Sequence, residues 1–167
     1  PAQFTPLVPL PAPKIIGSAE AYPGSGYNVR NIIDGKEATE YSSNGKGTET
    51  YIDFDFGRPT RIAAYRHVDR ADAATVGAVA LLFSDAADFA RPIAKVPVAH
   101  ANVRAGKTFA ALPDAVTARY VRWKVAKLGP QNYGTVGGAE IGFFASDTAH
   151  PVPVNDSVVT TGYSAVV

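Results

Sequence analysis

Asp34, Gly35 and Thr39 fall within one short stretch, Asn31-Ile32-Ile33-Asp34-Gly35-Lys36-Glu37-Ala38-Thr39-Glu40-Tyr41-Ser42-Ser43. A hard cation such as Ca²⁺ collects six to eight oxygens from carboxylates, carbonyls and hydroxyls. Asp34 supplies a carboxylate and Thr39 a hydroxyl. Gly35 permits a turn tight enough for neighbouring carbonyls to converge. The same residues also suit a plain turn running into a strand. On types and spacing alone the plain turn is the default reading.

A second set of groups suits a sugar. Sugars present apolar C–H faces to an aromatic ring, and their hydroxyls both donate and accept. Three loops offer such partners: His67, Asp69 and Arg70; Gln131, Asn132 and Tyr133; and Tyr41 with Asn44. Each residue also has an ordinary role. A histidine at a strand end is commonly just exposed. Arg70 beside Asp69 and Asp72 makes a surface ion pair worth little. Asn132 in a glycine-rich loop tolerates unusual backbone angles. Tyr41 and Tyr133 can fill core edges.

Catalysis finds less support. Asp53 and Asp55 share one strand face, where acid pairs are commonly solvated, whereas a glycosidase sets two carboxylates across a cleft. No nucleophile elbow, phosphate loop or histidine-rich metal motif occurs. His67, His100 and His150 are scattered. Asn155-Asp156-Ser157 fits a glycosylation sequon, a weak three-residue match.

The elements that must position these groups read as strands. Ile52, Phe54 and Phe56 alternate with Tyr51, Asp53 and Asp55, the period of a half-buried strand. Gly57-Arg58-Pro59 then turns the chain into a second strand, Arg61 to His67. The alanine-rich stretch from Ala71 to Ala90 has helical propensity, but Thr75, Val76 and Gly77 and the alternation of Val79, Leu81 and Phe83 favour a loop followed by a strand from Ala78 to Phe83. Ile93 to Val98 contains Pro97 and suits an edge. Phe109 to Leu112 is a further short piece. Val121, Trp123 and Val125 alternate inward, which assigns Trp123 to the core. Glu140 to Phe144 closes the series. No helix emerges, and the pattern predicts an all-β sandwich.

Composition bounds the rest. A chain of 167 residues with 46% hydrophobic and 19% charged residues builds one globular domain with a real core. Its net charge of +1 carries no basic run, so no nucleic-acid partner is expected. Without cysteine there is neither disulfide nor thiolate metal site. Without methionine the chain reads as a mature or excised segment. No apolar run approaches the roughly 18 residues of a membrane span. Pro1 to Pro13 holds five prolines and reads as a linker or strand-like lead-in.

Five segments in order carry a family resemblance: Asn31 to Ser43 with its Asp-Gly-Lys and Thr39; Tyr51 to Gly57 ending in Asp-Phe-Gly; Phe83-Ser84-Asp85 with Phe89; Ala118-Arg119-Tyr120-Val121-Arg122; and Gly138-Ala139-Glu140-Ile141. Together they resemble the coagulation factor V/VIII type C (discoidin-like) domain, and most closely the family 32-type carbohydrate-binding modules of bacterial glycan-active enzymes. Tyr41 stands where the family usually has tryptophan. The paired end cysteines of animal members are missing, which favours the bacterial branch.

The resemblance implies a jelly-roll β-sandwich of the galactose-binding-domain-like type over residues 15–146. Residues 1–14 would be a linker or lead-in, and 147–167 a linker or edge-strand tail. It implies a structural Ca²⁺ held by Asp34, Thr39 and Glu140 with the carbonyls of Asn31, Lys36 and Ala139. It favours His67, Arg70, Asn132 and Tyr133 for ligand binding, beside Asp69 and Tyr41 from the same loops. The expected function is a non-catalytic module that brings a covalently linked catalytic domain to a glycan or polysaccharide, in a secreted or extracellular setting. The alternatives are a cell-surface or phospholipid adhesion module and, further off, a polysaccharide-degrading catalytic domain.

Overall fold

The computed structural model describes residues 7–146. Its framework is two long strands, β4 (Tyr51–Val68) and β7 (Lys107–Leu128), paired antiparallel from Tyr51↔Lys124 to Val68↔Lys107. Register shifts between Asp55 and Thr60, and between Ile62 and Ala64, mark irregularities along this pairing. Each strand contributes one half to each of two sheets. The first half of β4 also pairs β2 (Lys14–Ser18), and the second half of β7 pairs β5 (Val76–Ser84), which pairs β6 (Ala94–Ala99). The second half of β4 pairs β9 (Glu140–Ser146), which pairs β1 (Leu7–Pro9). The result is the all-β jelly-roll sandwich. A small ribbon of β3 (Tyr41–Ser42) and β8 (Gly137–Gly138) sits beside it.

The core lies between the halves. Ile52, Phe54, Leu81, Phe83, Val121 and Trp123 come from one sheet, and Ile62, Tyr65, Ile141 and Phe143 from the other. Phe54 meets Phe143 edge-on at 5.6 Å. Trp123 is fully buried and donates from Nε1 to the Tyr65 hydroxyl at 2.7 Å. On the outer face of β4, Asp53 and Asp55 each take a bidentate arginine from β7. Arg122 reaches Asp53 at 2.7 and 2.9 Å, and Arg119 reaches Asp55 at 2.9 and 3.1 Å.

Two expected chain reversals are bends instead. Gly57, with φ of 81°, caps its amide on Asp55 Oδ1 at 2.7 Å, and the strand continues through Thr60. Phe109–Leu112 and Arg119–Val125 belong to one strand, β7. The lead-in is part of the sheet from Leu7 onward, since β1 pairs β9 and the Leu10 amide donates to Phe143 O at 2.9 Å. Two short 3-10 helices, Val29–Ile33 and Gly47–Glu49, occur among the described residues. The expected tail at 147–167, with the Asn155 sequon, lies outside the described residues.

Candidate functional site

The oxygen-rich loop is built by a chain of local caps. The Asn28 side chain accepts from Arg30 N at 2.9 Å and starts the first 3-10 helix, which buries Ile32. Asn31 Nδ2 donates to Glu40 O at 2.8 Å and to Gly26 O at 3.2 Å, drawing the loop closed. Gly35 turns with φ of 77°. Asp34 Oδ1 then accepts from Lys36 N at 2.8 Å, while the Thr39 hydroxyl donates to Asp34 Oδ2 at 2.5 Å and also lies 3.2 Å from Lys36 O. Glu140 arrives from β9, its Oε1 accepting from the same Lys36 amide at 2.8 Å. Two carboxylates distant in sequence therefore share one N–H donor. Burial first, then the facing Asp34 carboxyl, pushes Glu140 up to about 7. Asp34 is slightly desolvated, but the bonds from Thr39, Glu140 and Lys36 outweigh that and hold it below its ordinary value. Asp34, Lys36, Thr39 and Glu140 are thus brought together. Asn31 ties the loop, and Ala139 is buried next to Glu140, its amide donating to Val68 O at 2.8 Å.

The six residues expected to face a ligand separate into two groups. His67 is 1% exposed and stacks between Trp123 (5.8 Å) and His100 (4.3 Å). Its Nε2 is 2.9 Å from Gly137 O, and burial pushes it down to about 4. A Cβ on Gly138 would lie 2.4 Å from His67 Nε2, and one on Gly137 would lie 2.1 Å from Tyr41 O. The Gly-Gly pair is what lets β8 close over this part of the core. Tyr41 is fully buried, its hydroxyl donating to Ala19 O at 2.7 Å. Asp69 is buried and accepts from the Arg70 and Val76 amides. Asn132 is buried, donating to Thr75 O at 3.0 Å and accepting from Gly134 N at 2.8 Å. The expectation that these four present side chains to a sugar is corrected by their placement: His67 and Tyr41 fill the core, and Asp69 and Asn132 tie loop backbones.

Arg70, though only 6% exposed, opens onto a cleft, and Tyr133 stands at the surface. Tyr133 is 99% exposed. Arg70 is held by Glu40 (Nε to Oε1, 3.2 Å), and its guanidinium lies over the Tyr27 ring at 5.4 Å. It lines a cleft of about 240 Å³ with Tyr22, Tyr27, Ser42, Asp72 and Thr135. Tyr22 meets Tyr27 edge-on at 5.7 Å and is 46% exposed. An adjoining depression shares Tyr27, Arg70 and Asp72 and adds Thr39 and Glu40, so it runs toward the oxygen-rich loop. The cleft offers an aromatic surface, a guanidinium, a carboxylate and hydroxyls within a volume smaller than the roughly 300 Å³ where drug-sized pockets begin. Tyr22 and Tyr27 escaped the sequence reading; their signal was a pair of tyrosines bracketing Pro23-Gly24-Ser25-Gly26.

His100, distant from His67 in sequence, lies against it in the fold. Tyr65 Oη and His100 Nε2 are 2.9 Å apart, and His100 Nδ1 is buried with no hydrogen-bond partner.

The sequence matches the F5/8 type C domain family over residues 15–140, and the chain belongs to that family. No curated protein matches it. Among solved structures it is similar to a putative chitobiase fragment from Bacteroides thetaiotaomicron, at 18% identity and a TM-score of 0.70, covering 90% of this chain and 99% of that one. It is similar to chitosan-binding module 1 of a chitosanase/glucanase from Paenibacillus sp. IK-5, at 16% identity and a TM-score of 0.60, covering 79% and 94%. It is also similar to the CBM32 of AlyQ in complex with 4,5-unsaturated mannuronic acid, at 18% identity and a TM-score of 0.59, covering 80% and 97%.

Proposed function

We propose that this chain is a non-catalytic glycan-binding module. The observation that carries the reading is the cleft of Tyr22, Tyr27, Arg70, Asp72 and Thr135, which sets an aromatic surface beside a donor and an acceptor. A sugar ring packs its C–H face on Tyr22 while its hydroxyls pair with Arg70 and Asp72. Family membership and the chitosan-binding and mannuronate-bound modules among the similar structures support it. The paired use of Asp53 and Asp55 by arginines also speaks against a two-carboxylate hydrolase on that strand. The module serves in an extracellular setting, joined to a catalytic domain whose local substrate concentration it raises.

Ca²⁺ belongs to the same proposal. Two carboxylates, a hydroxyl and a turn carbonyl form the hard-oxygen set that this ion takes, and the mutual strain of Asp34 and Glu140 is what a cation relieves. Asp34, Thr39 and Glu140 would hold it with the carbonyls of Asn31, Lys36 and Ala139. It would supply positive charge that pins the loop to β9.

A glycan array probed with the chain tests the reading. Binding to a subset of glycans, weakened about tenfold by Tyr22→Ala (about 1.4 kcal/mol), is expected; silence across plant, algal and host glycans sinks it. A second reading, adhesion to phospholipid, is favoured by one feature, the fully exposed Tyr133 on its loop. Sedimentation with anionic vesicles that Tyr133→Ser abolishes would replace the first reading with this one.

A further inference from the structure

The cleft continues past Arg70. Tyr27, Arg70 and Asp72 wall both the first cleft, of about 240 Å³, and the adjoining depression, of about 480 Å³. Tyr22 lies on the near side of this wall, and Ala38, Thr39, Glu40 and Ala71 lie on the far side. One side chain fixes the wall. Glu40 Oε1 accepts from Arg70 Nε at 3.2 Å, and Oε2 accepts from the Ala71 amide at 2.7 Å. The Glu40 carbonyl accepts from Asn31 Nδ2 at 2.8 Å. Arg70 is thereby set between two loops, over the Tyr27 ring at 5.4 Å. Glu40 engages its Nε, so the two Nη groups are the donors it can turn to a ligand.

Size argues for a ligand longer than one ring. The first cleft alone is smaller than the roughly 300 Å³ at which drug-sized pockets begin, and it shares three residues with the second. A single ring on Tyr22 leaves the far side unused. That side is open because its walls are small. Ala38 and Ala71 are exposed and end in methyls, which a second C–H face can rest on.

The lining also has a sign. Arg70 brings one positive charge, and Glu40 and Asp72 bring two negative ones, which leaves one negative charge in excess. Glu40 is the residue that pairs with Arg70. Asp72 is exposed, accepts from the Ala74 amide through Oδ1 at 2.9 Å, and makes no ion pair among the described residues. Ionised carboxylates only accept hydrogen bonds. A sugar beside them is favoured when it brings donors, and most when it brings an ammonium. A carboxylate substituent would meet a like charge instead.

We propose that the cleft and the adjoining depression are consecutive subsites for a linear amino-sugar chain of at least two units. One unit stacks on Tyr22. The next lies over Ala38 and Ala71 with its protonated amine toward Asp72, and Arg70 donates to the oxygens between them. This rests on the proposed glycan-binding function and adds to it a minimum length and a charge preference.

The test is titration calorimetry of the full chain with three probe series of one to four units: β-1,4-linked glucosamine, its N-acetylated counterpart, and mannuronate. Buffer at about pH 6 keeps the amine protonated. The Kd for the glucosamine dimer should lie at least about tenfold below that for the monomer. Ala38→Trp fills the far side without removing a hydrogen bond. It should abolish that step, leave the single-unit affinity unchanged, and melt like the wild type. Ala71→Trp blocks the same space from the opposite wall and should do the same. Asp72→Asn keeps the acceptor for the Ala74 amide. It should weaken the glucosamine dimer about tenfold and the N-acetylated dimer little. Equal affinity for one and two units, a length step that survives both blockers, a preference for mannuronate, or an equal loss for both dimers in Asp72→Asn would each overturn the subsites while leaving glycan binding intact. Silence with all three series overturns them too, and the proposed function falls with them only if the glycan array is silent as well.

Discussion

Two acid pairs in this molecule are built from the same chemistry and treated in opposite ways. Asp53 and Asp55 lie on one strand face, and each receives its own bidentate arginine from β7. The arginine beside Asp55 holds that carboxyl below its ordinary value, ahead of a small opposing effect of burial. Asp34 and Glu140 share one backbone amide, Asp34 also takes the Thr39 hydroxyl, and among the described residues neither makes an ion pair. The first pair has its counter-charge supplied by the strand opposite. The second has oxygens where a counter-charge belongs. Carboxylates that the fold has already neutralised are structural; those left facing each other are where the proposed cation would sit.

The comparison breaks most visibly on calcium. Saturating Ca²⁺ at about a hundred times its Kd should stabilise the chain by about 2.7 kcal/mol, a Tm rise of roughly 5–10 °C, and chelation should reverse it. No shift in a calorimeter would mean that the facing carboxylates are not an ion site. Next in size is Asp53→Ala, which strands a half-buried Arg122 and should cost about 2 kcal/mol in urea unfolding, unchanged by calcium. Glu140→Gln should behave in reverse. It removes the repulsion, so in chelator the variant melts at or above the wild type, while the calcium-dependent rise disappears. A Glu140→Gln protein that still gains stability from calcium would move the ion elsewhere. The smallest effect belongs to Asp55→Ala, because the Arg119 side chain it releases is 41% exposed and water takes over its hydrogen bonds. An Asp55→Ala loss as large as that of Asp53→Ala would erase the distinction between the two arginine pairs.

The strands were legible because their period is local. Ile52 and Phe54 point inward as alternation predicts, and Trp123 is in the core with Val121 and Val125. Turn signals were less informative, since Gly57-Arg58-Pro59 bends a strand that continues. His67 shows a signal that was present but unused: it lies two residues beyond inward Tyr65, so the same alternation puts it inside, with Arg66 outside. The metal-type loop was legible as residue types, although the meeting of Asp34 with Glu140 is tertiary and came from the family resemblance. The cleft was mostly hidden. Tyr27 reaches Arg70, and Tyr22 shares their cleft, only because separate loops converge, which no local pattern encodes. Asp69 and Asn132 have the right chemistry for a ligand, but their hydrogen bonds are taken by backbone groups.

The sharing of β4 and β7 between both sheets has a consequence for synthesis. β4 is complete by Val68, yet its main partner begins at Lys107 and its other late partner at Glu140. A growing chain therefore carries the apolar face of β4 unpaired on that side until those segments emerge. Pairings so distant in sequence close slowly, on the order of milliseconds to seconds, and a ribosome paused before Lys107 would hold an aggregation-prone edge in the open. Neither half of the sandwich can be secured first, so the domain is completed only as its last described strand arrives.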